Sequence, residues 1–296
     1  MDHKRQHWIP QSYLKAWADP AAPPEYEPWV WQFDKDGQTA KRKPPRKIFF
    51  ETELYTLKLP DGGRDLTVEH GLAGLEDRFA RIRENKLAQH LPLDDEEDLQ
   101  VRAFVAAMQS RTPGQLEHWR SNWRRVAEMG RRVQAAVGRG ENWPSGVSSG
   151  GPSFSQEQVE ELANAELGAF VFPMMEAQLH GLCRMNLTVL ETTDSLGFIT
   201  SDTPCVWADP QMHTWPPHMR TPGLAKESLE ISLPLSPRQL LFLTWTAKPG
   251  YASLSERGLH EVNRRTRWHA REYFIVRESR TREEWFLSGD NISGTG

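Results

Sequence analysis

The 296-residue chain has 38% hydrophobic and 26% charged residues, a globular balance with enough length to bury a sizeable core. Its net charge of −4 supplies no overall field toward nucleic acid or anionic lipid, and two cysteines, Cys183 and Cys205, are too few for a disulfide framework or a structural zinc site. The first residues show no signal-peptide core and no apolar run approaches bilayer length, so the expected setting is reducing, cytoplasmic and free of membrane.

Taken in order, Pro10 extends Ile9 before it and suits the first turn of a short helix, on which Tyr13, Leu14 and Trp17 share a face. His7 stands at the start of that helix, a capping or buried imidazole on one reading and a proton-transfer group on the other. Residues 29–33 read as a strand and Asp36-Gly37 as a hairpin turn. The basic stretch Lys41, Arg42, Lys43, Arg46 and Lys47 reads as a solvated loop ahead of a phosphate contact. Residues 54–57 read as another strand, closed by Asp61-Gly62-Gly63.

From Leu66 the period is helical through Leu72, Leu75, Phe79 and Ile82. A second helix starts at Asp94, with Glu97 at capping-box spacing, and ends near Gln109-Ser110-Arg111-Thr112-Pro113. Over 114–137 an apolar stripe (Trp119, Trp123, Val126, Gly130, Val133, Val137) opposes a basic face of Arg120, Arg124, Arg125, Arg131 and Arg132 with only Glu128 near it. That face is a solvated surface by default and a phosphate-contacting one on the sharper reading. The Gly/Ser/Pro-rich residues 138–154 form the best internal boundary. Ser155, with Gln158 at capping-box spacing, opens a long helix to about Arg184, kinked at Pro173.

Beyond Met185 the chain is strand-rich, with expected strands at 187–191, 196–200, 206–207, 228–235, 239–246 and 273–276. A Pro-rich loop from Pro210 to Pro222 is a candidate lid. A helix near 256–270 carries Asn263. The tail after Gly289 reads as frayed. The organising stretch is Gly197 to Pro204, where an apolar run delivers Thr200-Ser201-Asp202 into a turn that Pro204 stops. Small polar residues at the end of a buried strand are where such domains place their chemistry.

His7-x-x-Pro10-x-x-Tyr13-Leu14, Gln109-x-Arg111-Thr112-Pro113, Thr200-Ser201-Asp202-x-Pro204 and Pro234-Leu235-Ser236-Pro237, in that order, resemble the domain-of-unknown-function 4238 family. That family is a group of mostly bacterial proteins of about this length. Tyr55, Glu76 and Asn263 fall at similar places, and Trp17 departs from an expected Phe. The resemblance implies the extent of the fold and highlights residues without supplying a reaction.

If His7, Arg111 and Asp202 converge, His7 moves a proton, Asp202 orients it or acts as base, and Arg111 clasps a phosphate. Gln109, Ser201 and Asn263 would add neutral hydrogen bonds, and Arg120, Arg124 and Arg131 a basic approach. That set suits a nuclease-like phosphodiesterase. A divalent ion on Asp202 with Glu76 or Glu53 lacks a dense acidic motif, and His180 with Cys183, or Asp209 with His213 and His218, form looser sets. Ser201 has no Gly-x-Ser-x-Gly elbow, and no cofactor motif occurs. The alternative is a non-catalytic module that binds a nucleotide, a nucleic acid or a protein, in which Asp202 caps a turn and Arg111 bridges to Asp202 or Glu76. The expected architecture is α+β: an N-terminal helix–hairpin segment, a central helical layer and a C-terminal mixed sheet. Residues 1–296 are expected to form one interlocked domain, with a sub-boundary in 138–154.

Overall fold

The computed structural model describes residues 5–23, 25–59, 61–139, 155–212 and 223–287. The N-terminal part runs through β1 (Arg5–His7), the short helix α1 (Gln11–Leu14), the hairpin β2 (Val30–Asp34) and β3 (Ala40–Lys43), then β4 (Phe50–Thr52), β5 (Leu57–Lys58) and β6 (Arg64–Asp65). Helices α2 (Thr67–Asn85), α3 (Asp95–Ser110), α4 (Pro113–Gly138), α5 (Gln156–Asn164) and α6 (Leu167–Leu182) follow. The C-terminal part holds β7 (Asn186–Glu191), β8 (Thr200–Ser201), β9 (Val206–Ala208), β10 (Glu230–Pro234), β11 (Gln239–Thr244), β12 (Gly250–Ser253), α7 (Glu256–His269) and β13 (Tyr273–Val276). The fold is α+β.

Besides the two-stranded ribbons β1-β4 and β5-β6, two larger sheets carry the strands. The larger has the order β12-β7-β11-β10-β9 and is mixed, because β12 alone runs parallel to its neighbour. The smaller, β3-β2-β13-β8, joins the N-terminal hairpin to the end of the chain. Side-chain alternation divides each sheet between two apolar layers. Val189, Leu241 and Leu243 face a main core shared with α2, α3 and α6, whereas Leu240 faces Leu259 and Val262 of α7. In the smaller sheet Val30 and Ile275 face the main core, and Phe33, Phe274 and Val276 cover Trp285 on the other side.

The N-terminal segment is stitched into this core by side chains made far away in sequence. The Tyr13 hydroxyl lies 2.8 Å from Thr200 Oγ1, Trp17 Nε1 donates to the Phe198 carbonyl at 2.8 Å, and Trp8 Nε1 donates to the Asp202 carbonyl at 3.2 Å. Both capping boxes are present, Asp94 with Glu97 and Ser155 with Gln158. Asp36-Gly37 makes the β2–β3 turn, with Gly37 at φ +78°.

Four expectations are corrected. The helix from Ser155 breaks at Ala165, where the backbone is extended (φ −61°, ψ 153°), so that Pro173 belongs to a second helix, α6. The exposed helix end is satisfied laterally, because Arg120 donates twice to the Ala165 carbonyl at 2.9 and 3.2 Å. Residues 196–199 are not a strand: Asp194 takes the Leu196 and Gly197 N–H groups and Asn263 the Ile199 N–H, leaving only Thr200 and Ser201 on the ladder. Residues 54–56 are likewise turned out of a strand, since Gln6 accepts from the Tyr55 N–H and donates to Thr56. On α4, Val126 is 48% exposed and Ala127 is buried instead, because α5 lies along the 120–127–131 edge of the helix.

Of the boundary expected at 138–154, residues 140–154 lie outside the described residues, as do His213, His218 and most of the Pro-rich loop.

Candidate functional site

Arg111 caps the C-terminus of α3 and is buried. Its Nη1 donates to Glu76 Oε1 at 2.7 Å, its Nη2 to the His7 carbonyl at 2.6 Å and its Nε to the Tyr55 hydroxyl at 3.3 Å. The Tyr55 hydroxyl donates back to the Arg111 carbonyl at 3.0 Å. Burial pushes Tyr55 up to about 12, so it keeps the proton that bond needs. The guanidinium fork is thus filled by protein acceptors.

His7 meets Arg111 through its backbone, not its ring. The imidazole is half-buried against Phe50, its cross-strand partner, with Nδ1 3.5 Å from Gln11 Nε2. Burial lowers its pKa below 6.5, the charges of Arg111 and Arg5 lower it further, and the Arg46 carbonyl opposes them.

Asp202 has a different set of partners. Its carboxylate accepts three consecutive backbone N–H groups, Arg271 and Glu272 at 2.8 Å and Tyr273 at 3.0 Å. Burial pushes this carboxyl upward while those N–H groups pull it down, with burial the larger. No hydrogen bond joins Asp202 to His7 or Arg111 among the described residues. Asn263 is buried and holds the loop before β8, accepting from Ile199 N–H at 3.0 Å and donating to the Gly197 carbonyl at 2.9 Å. Ser201 Oγ accepts from Thr203 N–H at 3.1 Å, and Gln109 is half-buried on α3. The expected convergence therefore resolves into two clusters: His7 with Arg111, and Asp202 with the 271–273 backbone.

The basic face of α4 is also more engaged than its residue types imply. Arg120 serves Ala165, Arg124 lies 3.3 Å from Glu117, and Arg131 pairs with Glu160 of α5 at 2.7 Å. Arg120 and Arg131 look toward α5, because residues eleven apart return to one side of a helix. His180 and Cys183 are exposed, and among the described residues no group of three or more His, Cys, Asp and Glu is arranged for a metal.

A cavity of about 420 Å³ opens beside Asp202. Its floor is the corner between α3 and α4 at Thr112-Pro113-Gly114. The Thr112 hydroxyl caps α4 by accepting from Gln115 N–H at 3.2 Å. Pro113 has no N–H, and the Gly114 N–H, in the first turn, has no hydrogen-bond partner among the described residues. A Cβ at Gly114 would meet nothing within 4 Å, so the backbone there is open to approach.

Lys41 and Lys43 form one wall, because strand alternation places both on the cavity side of β3 and sends Arg42 outward over Trp29 and Trp31. Lys47 and Arg271 stand at the same cavity. None of these four cations makes an ion pair within 4 Å among the described residues, although Lys47 lies near enough to Glu27 to lower that carboxyl. Glu51 and Glu272 are the exposed acids of the lining, and the charge of Asp202 is already met by backbone N–H groups. The basic stretch read as a solvated loop is therefore half cavity wall. Its alternation (Lys41, Arg42, Lys43) was the available signal. Trp8 and Tyr273 add aromatic surface.

The profile of the family described as "Protein of unknown function (DUF4238)" matches residues 5–281, and the chain belongs to that family. No curated protein and no solved structure matches it. No helix among the described residues is long and apolar enough to cross a membrane.

Proposed function

We propose that this member of the DUF4238 family is a non-catalytic module that binds a phosphate-bearing small ligand in the cavity between β3 and the start of α4. The observation that carries this reading is Gly114 at the N-terminus of a 26-residue helix, whose N–H has no partner among the described residues and which lines the same cavity as Lys41, Lys43, Lys47 and Arg271. A helix N-terminus with free N–H groups favours an anion, and unpaired lysines beside it add long-range attraction. The volume of about 420 Å³ falls within the ordinary range for small-ligand sites. The chemistry expected of His7, Arg111 and Asp202 is not what recommends the site, because Arg111 and Asp202 direct their polar atoms into the fold.

The test is calorimetric titration with inorganic phosphate and ribose 5-phosphate at two salt concentrations. Binding that weakens with salt, and is lost in Lys41→Ala/Lys43→Ala, supports the reading. Unaltered binding in that variant would sink it. A parallel incubation with a phosphodiester tests the nuclease-like alternative, since turnover abolished by His7→Ala would replace a binding module with an enzyme.

A further inference from the structure

The smaller sheet turns one face to the main core, and along β2 the residues on that face are Val30, Gln32 and, at the strand's end, Asp34. Gln32 is paired through its backbone with Ile275 of β13 and Lys41 of β3. Its side chain is 9% exposed and lines the phosphate-site cavity, and its amide has no hydrogen-bond partner among the described residues. Its amide atoms are not sealed in the protein but open onto the cavity, where a ligand can meet them. A leucine in its place would follow the pattern set by Val30 and could offer a ligand no hydrogen bond.

Phosphate does not account for this group. A phosphate oxygen accepts from Nε2 but opposes Oε1, which is itself an acceptor. A planar ring carrying a donor beside an acceptor satisfies both ends of the amide. Trp8 and Tyr273 line the same cavity and supply surface on which such a ring stacks. The Hoogsteen edge of adenine, with its amino N–H beside N7, is the two-bond complement of a glutamine amide, and its N1 edge offers the same pair, whereas guanine and uracil offer a donor beside an acceptor on the pairing edge alone.

We infer that Gln32 reads the base of an adenine nucleotide whose phosphate sits at Gly114 and the lysine wall. This rests on the phosphate reading of the cavity and narrows its ligand class. Gln32 is then the specificity-determining residue, and the lysines supply affinity without selecting a base.

The experiment is titration of the full chain with ribose 5-phosphate, AMP, GMP and UMP, repeated in Gln32→Leu and Gln32→Met. AMP is expected to bind at least about tenfold more tightly than ribose 5-phosphate, one bidentate base contact. Both variants are expected to erase that margin and leave ribose 5-phosphate binding unchanged. If AMP binds no better than ribose 5-phosphate, or GMP or UMP binds better than AMP, the assignment of Gln32 is overturned while the phosphate site stands. If no phosphate ester binds, the phosphate site itself falls. Should both variants fail to fold, the wild-type ranking of the four ligands decides alone.

Discussion

Arg111 Nη2 donates to the carbonyl of His7 at 2.6 Å, tying the end of α3 to the first strand. The same guanidinium is neutralised by Glu76, whose side chain is 21% exposed while that of Arg111 is 2% exposed. Removing the carboxylate leaves a buried cation uncompensated. Glu76→Gln is therefore expected to lower unfolding free energy by about 3 kcal/mol. Arg111→Met combined with it should cost less than the sum of the two single changes. Urea unfolding of the three variants measures this, and strict additivity would show that the pair is not coupled.

Acid should weaken the fold through its half-buried first imidazole. His7 sits below 6.5, chiefly because burial disfavours the charged ring. Just below pH 6.5 the unfolded chain binds a proton at this site that the native chain refuses, so stability rises with pH across that window. The contribution is complete above the unfolded pKa and is lost as pH falls from there through the lower folded pKa. His7→Gln should flatten the urea midpoint between about pH 7 and about pH 5, where wild type declines more steeply.

Asp202 holds three N–H groups that have no other acceptor among the described residues. Asp202→Ala is expected to cost about 3 kcal/mol by leaving them without an acceptor. Because Asp202 lines the cavity, formate should enter and raise the melting temperature of this variant but not of wild type. Equal responses in both proteins would contradict a lost acceptor.

Gly197 has φ +69°, and a Cβ there would lie 1.8 Å from the Pro237 carbonyl oxygen. Gly197→Ala should lose about 3 kcal/mol or more from strain and displacement of the 236–239 turn. Thermal unfolding close to wild type would show that the loop relaxes freely.

Of the two thiols, Cys183 is exposed, while Cys205 is buried and pushed up to about 12. A chromogenic disulfide should titrate one thiol in the native protein and the second only in denaturant. Two rapid equivalents under native conditions would place Cys205 outside the core.

Local signals were readable where partners are close in sequence. Asp94 with Glu97 and Ser155 with Gln158 announce helix starts through side chains three residues apart, and both are made. The β10–β11 hairpin is equally plain, since Pro234-Leu235-Ser236-Pro237 sits at its turn. Strands β1 and β12 were not legible, because each is defined by a distant partner, β4 and β7. The run at 196–199 misled because its apolar residues are buried by side-chain hydrogen bonds from Asp194 and Asn263, a loop with the composition of a strand. At the site, Arg111 was correctly singled out as needing a partner, and Glu76 supplies it. The cavity stayed hidden because Gln32, Gly114 and Arg271 carry no motif and meet only through tertiary packing.

The N-terminal stitches set an order in time. Tyr13, Trp17 and Trp8 wait for Thr200, Phe198 and Asp202, nearly two hundred residues later. At about 5–20 residues per second, synthesis leaves those aromatic rings without their partners for on the order of ten seconds or more. During that interval Trp8 and Trp17 are exposed apolar surface on a nascent chain, and holding them apart from other chains is a task for whatever meets the polypeptide at the ribosome. Late, nonlocal closure of this kind slows folding.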